Sequence, residues 1–126
     1  SILASRIGDI DKAYDLFIHA TRLDLDDYNN ELAQGLHVTS MAGSWLAIVH
    51  GFAGMQIIDD MLCFNPIIPK HWNRYIFKLN FRGCNLQIEV GKNEIKISMI
   101  EGKELNILIC KVVYNLSRGK DLIIKK

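Results

Sequence analysis

Through Met55 the apolar residues recur with helical spacing, and from Gln56 onward they alternate as strands do. Ile2, Leu3 and Ile7 form one face of a first helix, Ser1 to Ile7, which Gly8 ends because a residue without Cβ suits the left-handed conformation beyond a helix terminus. Asp9 is placed to cap a second helix in which Ala13, Leu16, Phe17 and Ala20 share a face. Asp24 to Gly35 is polar and rich in turn formers, so it reads as an irregular loop held by Asp26, Asp27, Asn29 and Asn30. It does not fit a calcium loop, because Tyr28 and Ala33 break the alternation of oxygen ligands. A third helix is expected to run from a cap at Thr39 or Ser40 to about Gly51.

In the second half, Tyr75, Phe77, Leu79 and Phe81 face one way while Arg74, Lys78 and Asn80 face the other. The pattern repeats at Leu86, Ile88 and Val90, at Ile95, Ile97 and Met99, and at Leu105, Ile107 and Ile109. Arg82-Gly83, Gly91-Lys92-Asn93 and Gly102-Lys103 separate these runs and read as hairpin turns. Shorter strands are expected at Gln56 to Ile58, Met61 to Phe64, Val112 to Leu116 and Leu122 to Ile124, with Asp59-Asp60 a turn. Asn65 to Pro69 contains both prolines and links the layers. The whole predicts an α+β chain: helices, then an antiparallel sheet or sandwich with one buried face.

The chain has 126 residues and opens on Ser1 inside what already looks like a helix, so an excerpt of a longer protein is expected. Its 15 Lys and Arg against 14 Asp and Glu leave no field that would favour nucleic acid or an anionic membrane. Leu32 to Ile58 has no charged residue, yet Gln34, His37, Thr39, Ser40, His50 and four glycines make it a loop and a protein-buried helix rather than a membrane span. Cys63, Cys84 and Cys110 stand singly and read as reduced, buried thiols of a cytoplasmic protein. His19, His37, His50 and His71 are too scattered to specify zinc, and no metal site is expected. Neither a nucleophile elbow nor a dinucleotide-binding glycine pattern occurs. Trp45 is expected in the core, while Trp72 and Tyr75 are the aromatic residues that could meet a sugar.

One cluster carries chemistry. Gly-Leu-His-Val-Thr-Ser-Met-Ala-Gly-Ser-Trp, residues 35 to 45, sets a histidine, hydroxyls and small residues at the mouth of an apolar helix. The hydroxyls can serve simply as caps. Equally, the free N–H groups and positive dipole end of the helix, with His37 upstream and Gly43 allowing close approach, suit an anion. On the residues alone the two readings stand level.

The string His37 to Ala47, with Gly51-Phe52-Ala53-Gly54-Met55, resembles glycoside hydrolase family sixty-five, the maltose, trehalose and kojibiose phosphorylase group. Ala13-Tyr14, Arg22 to Asp26, Tyr28-Asn29-Asn30, Phe64-Asn65-Pro66 and Phe81-Arg82-Gly83 extend the resemblance over essentially the whole chain. It implies that residues 1–58 end an (α/α)6 catalytic barrel and that 59–126 form a small C-terminal β-sandwich, jelly-roll-like. It further implies an inverting phosphorylase in which inorganic phosphate is the co-substrate, no cofactor is needed and an α-linked glucose disaccharide, maltose first, is cleaved. His37, Thr39, Ser40 and Gly43 would contact phosphate; the catalytic glutamate would lie upstream, since Glu31, Glu89, Glu94, Glu101 and Glu104 match no such motif. The excerpt alone would then be inactive, and its parent a homodimer. The rival readings are a noncatalytic carbohydrate-binding or support module, and part of an α-glucoside hydrolase.

Overall fold

The computed structural model describes residues 1–26, 35 and 37–126, in two compact units, Ser1–Phe52 and Ala53–Lys126. The first unit holds α1 (Ile2–Arg6), α2 (Ile10–Asp26) and α3 (Val38–Leu46), the last continuing as a π-helical segment, Ala47–Phe52. The second holds β1 (Gln56–Ile58), β2 (Met61–Phe64), β3 (Arg74–Phe81), β4 (Cys84–Gly91), β5 (Glu94–Glu101), β6 (Leu105–Ile109), β7 (Val112–Leu116) and β8 (Leu122–Lys125).

The helix boundaries follow local chemistry. Gly8 sits at φ +83°, and the Lys12 amide donates to Asp9 Oδ1 at 3.0 Å, which is the expected start of α2. Ala13 and Phe17 are buried and Phe17 meets Phe52 edge to face at 5.7 Å, whereas Leu16 on the same stripe is exposed. The α2 helix runs through Asp24 to Asp26, so the predicted loop begins later than its composition suggested; residues 27–34 of it lie outside the described residues. Arg22 holds this last turn by a two-pronged pair with Asp26 at 2.5 and 2.6 Å, an i,i+4 contact available only in a helix.

Among the described residues eight strands form two four-stranded sheets, ordered β1-β2-β6-β7 and β3-β4-β5-β8. The alternation read from sequence decides the faces: Tyr75, Phe77, Leu86, Ile88, Val90, Ile95, Ile97 and Met99 are all buried. Across the second sheet Phe77 pairs with Ile88, Ile88 with Ile97, and Ile97 with Leu122, one apolar row spanning four strands. The other sheet contributes Leu62, Phe64, Ile107, Ile109 and Leu116 to the core. Phe64 and Phe77 approach to 6.3 Å between ring centroids. Tyr75 keeps its hydroxyl satisfied by donating to the Ile67 carbonyl at 3.0 Å, and burial pushes its phenol well above the usual range.

Two expectations about the sheets need correction. The sheets are not wholly antiparallel, because β2 and β6 pair in parallel, Leu62 opposite Ile107. Nor is Gly102-Lys103 a hairpin: β5 and β6 belong to different sheets, so the chain crosses between layers there. A bulge precedes the crossover, Asn85 facing Glu101 and Leu86 facing Met99, which leaves Ile100 as the extra residue.

Three of the tight turns are hairpins of a shared kind. Asp59 and Asp60 (φ 47° and 63°), Arg82 and Gly83 (51° and 77°), and Cys110 and Lys111 (48° and 69°) each supply two consecutive left-handed residues, the requirement of a type I′ turn matched to strand twist. The first two were expected as turns. Cys110-Lys111 was not, lacking glycine or asparagine, and its place at a hairpin tip explains why Cys110 is exposed while Cys63 and Cys84 are buried. All three thiols are free.

Candidate functional site

The third helix begins differently from the sequence expectation. His37, not Thr39 or Ser40, occupies the position before the first helical residue, and no side chain caps the helix through its own hydroxyl. The Ser40 and Met41 amides both donate to the His37 carbonyl, at 2.9 and 3.3 Å, so Thr39 and Ser40 lie inside the first turn. Helix geometry gives the Val38 and Thr39 amides no carbonyl of the same helix to bond. No acidic side chain stands in that turn to oppose the positive end of the helix.

The four expected anion contacts distribute as follows. His37 and Ser40 are half-buried, Thr39 is exposed, and Gly43 lies one turn on, half-buried. A Cβ built on Gly43 would meet nothing within 4 Å, so the glycine leaves open space beside the first turn rather than relieving a contact within the chain. Ser40 turns toward α2, where it lines a cleft of about 410 Å³ with Ala20, Thr21, Asp24, Met41 and Ser44. The Ser44 hydroxyl donates back to the Ser40 carbonyl at 2.7 Å, so its proton is used within the helix.

Sequence reasoning missed Asp24. Its carboxylate accepts the His37 backbone amide at 3.0 Å through Oδ2 and 3.3 Å through Oδ1, and the His37 ring Nδ1 bonds Oδ1 as well. The ring contact, then desolvation in the opposite sense, then the amide set its acidity; the net effect holds the carboxyl below the usual carboxylate range. One signal was available in the chain. Asp24 and Asp26 fall in the last turn of α2, where a carboxylate opposes the helix dipole and no basic residue compensates inside that turn, so partners outside the turn were to be sought.

A pH dependence follows with a definite sign. A carboxyl whose folded value is lowered adds stability above its unfolded value of about 3.9, and loses it as pH falls through the lower folded value. Acidification below about pH 4 should therefore release His37 from Asp24 while leaving the interior of the sheets in place. Amide and ring NMR signals of His37 should move together in that window; signals moving only with global unfolding would refute the coupling.

Other candidate chemistry is absorbed structurally. Glu89 accepts from Arg74 at 2.9 Å and Glu101 from Asn85 at 2.6 Å, both on the polar faces of strands, and Glu31 lies outside the described residues. Asp60 pairs with Arg82 at 2.7 Å, joining two hairpin turns. Trp72 is half-buried and packs on Tyr75 at 5.7 Å. Trp45, expected in the core, is 48% exposed, with Val38, Met41 and Leu46 beside it on α3 also exposed. Among the described residues no group of three metal-ligating side chains converges, and no helix is long and apolar enough to cross a membrane.

The chain as a whole is similar to known proteins. Residues 1–46 match the central catalytic domain of glycosyl hydrolase family 65, and residues 55–116 match the C-terminal domain of the same family. The chain is 39% identical to an α,α-trehalose phosphorylase of Geobacillus stearothermophilus, covering 97% of this chain and 16% of that one. It is 42% identical to a maltose phosphorylase of Bacillus subtilis, covering 85% and 14%. A solved structure from the human microbiome, named as a kojibiose phosphorylase, superposes with a TM-score of 0.91 at 41% identity, covering 99% of this chain and 18% of that one. The chain thus spans about one sixth of the length of its trehalose phosphorylase relative. With both halves matched to consecutive domains of one family, the chain belongs to glycosyl hydrolase family 65.

Proposed function

We propose that this chain is part of an inverting disaccharide phosphorylase, and that the first turn of α3 holds inorganic phosphate through His37, Thr39, Ser40 and the approach left open by Gly43. The observation that carries the reading is the helix start itself: His37 stands before the first helical residue, two hydroxyls lie in the first turn, and that turn has no acidic residue of its own, Asp24 reaching His37 from α2. Phosphate so held would attack the anomeric carbon of an α-linked glucose disaccharide as the glycosidic bond breaks. The departing sugar oxygen would take its proton from a carboxylic acid elsewhere in the barrel, giving β-glucose 1-phosphate and glucose. The residues described here supply the nucleophile's seat, not the acid. Residues 1–58 would belong to the (α/α)6 barrel and 59–126 to the support domain, and the parent would be a cytoplasmic homodimer.

The relatives named for maltose and trehalose stand at 42% and 39% identity, too close together to choose between, so maltose remains the first substrate to assay. In the full-length enzyme containing this segment, maltose, trehalose and kojibiose are tested with and without phosphate. Glucose 1-phosphate formed only with phosphate is expected from one of them. Glucose released equally without phosphate would instead make the parent a hydrolase. His37→Ala should lower kcat/KM for phosphate tenfold to a hundredfold, since a hydrogen bond to a charged group contributes about 1.5–3 kcal/mol. Gly43→Ala, which the helix itself tolerates, should impair phosphate use by filling the open approach.

A further inference from the structure

The phosphate reading leaves unexplained why a carboxylate sits against the histidine meant to receive an anion. Asp24 is not a neighbour by chance of packing: both of its oxygens engage His37, one residue offering two donors, the backbone amide and ring Nδ1. A carboxylate there accepts, so Nδ1 carries a proton, and the ring's other nitrogen, Nε2, is turned away from Asp24. In a neutral ring with its proton on Nδ1, that nitrogen has no N–H to offer a phosphate oxygen. Only the doubly protonated ring presents an N–H at Nε2, and a carboxylate on the far nitrogen favours that form. Besides Asp24, α2 carries Asp11, Lys12, Tyr14, Asp15 and His19 nearer its start, and Arg22 and Asp26, which pair with each other; the π-helical segment carries His50, and α3 carries no charged side chain.

We infer that Asp24 is a positioning residue for phosphate: it fixes the orientation and tautomer of His37 and keeps the ring cationic, so that Nε2–H faces the anion. This rests on the phosphate reading above. The arrangement also resolves the electrostatic objection, because the imidazolium lies between the two anions and each meets an N–H.

The test uses the full-length enzyme with His37→Ala, Asp24→Ala, Asp24→Asn and Asp24→Glu. Asp24→Asn keeps one acceptor oxygen for the amide while removing the charge and turning the other oxygen into an NH2 donor, a near-isosteric change that guards against mere unfolding. Asp24→Ala and Asp24→Asn should raise KM for phosphate roughly tenfold, the size of effect seen when a carboxylate orienting a ligand histidine is removed. KM for the disaccharide should stay within about twofold, and Asp24→Glu should recover part of the loss. Selectively 15N-labelled histidine should report the His37 ring nitrogens losing their doubly protonated signature in Asp24→Asn. If Asp24→Ala leaves phosphate KM unchanged while His37→Ala raises it, the positioning role fails and the phosphate site stands. Equal losses for both substrates would also refute it, marking Asp24 as structural. If His37→Ala leaves phosphate KM unchanged, the site reading itself fails and the inference with it.

Discussion

Gly102→Ala is expected to cost the sheet unit about 3 kcal/mol or more, combining roughly 1–3 kcal/mol of backbone strain with about 1–3 kcal/mol of overpacking. Gly102 stands at φ +120°, outside the small left-handed region that other residues tolerate. Its added Cβ would lie 2.7 Å from Cys84 Sγ and 2.8 Å from Cys84 Cα, the second a backbone atom that cannot swing aside. The residue sits where the chain leaves one sheet for the other, so any shift is passed to β4 and β6 together. Thermal unfolding followed through the β-sheet signal should fall by 12 °C or more, at about 4–8 °C per kcal/mol for a unit of this size. Gly83→Ala is the control: its φ of +77° is also positive, but the new Cβ meets nothing within 4 Å, and about 1–2 kcal/mol is expected. Equal losses at the two positions would show that strain alone, and not the contact with Cys84, makes Gly102 necessary.

Leu86→Ala should cost about 3 kcal/mol, within the 2–5 kcal/mol range of buried leucine truncations. Leu86 is fully buried on β4, opposite Leu79 on one side and Met99 on the other. Central strands are held from both sides, so the surrounding side chains have little freedom to collapse into the space. Urea unfolding monitored by Trp72, whose indole packs on Tyr75 in the same unit, reads the loss. Ile76→Ala on the opposite face of β3 is the comparison, exposed and expected within about 0.5 kcal/mol. A Leu86→Ala loss below about 1 kcal/mol would mean that the sheets do not close on this residue as the structure has them.

Much of the sheet unit was legible because period-two alternation is a local property. Tyr75 and Phe77, or Ile95 and Ile97, reveal their buried face without reference to any distant residue. What the alternation could not reveal is which strand lies beside which. Gly102-Lys103 looks like a hairpin in sequence, and only the pairing of β6 with β2 makes it a crossover. Cys110-Lys111 was hidden for a different reason: the flanking strand pair forces the left-handed conformation on residues that do not seek it.

At the helical end, legibility failed over long-range polar contacts. The hydroxyls of Thr39 and Ser40 suggested capping from composition, yet the amide at the helix start is satisfied by Asp24, thirteen positions earlier. Hydrophobic periodicity carries no information on such a contact. Trp45 and its exposed neighbours on α3 show the converse: the sequence marks an apolar face and suggests a core position, yet Trp45 stands 48% exposed. The Asp24–His37 pair therefore joins the two regions where pattern reasoning was weakest, a helix end and a helix beginning.

The parallel pairing of β2 with β6 bears on how the sheet unit assembles. Hairpins β3-β4 and β4-β5 close through a few residues, but Leu62 reaches Ile107 only after the whole intervening chain has been gathered in. Loop-closure entropy thus falls mainly on one strand pair, and the β1-β2-β6-β7 sheet has little reason to form until the β3-β4-β5 hairpins have shortened the path. The order of the layers in folding is in this way written into a single strand neighbour.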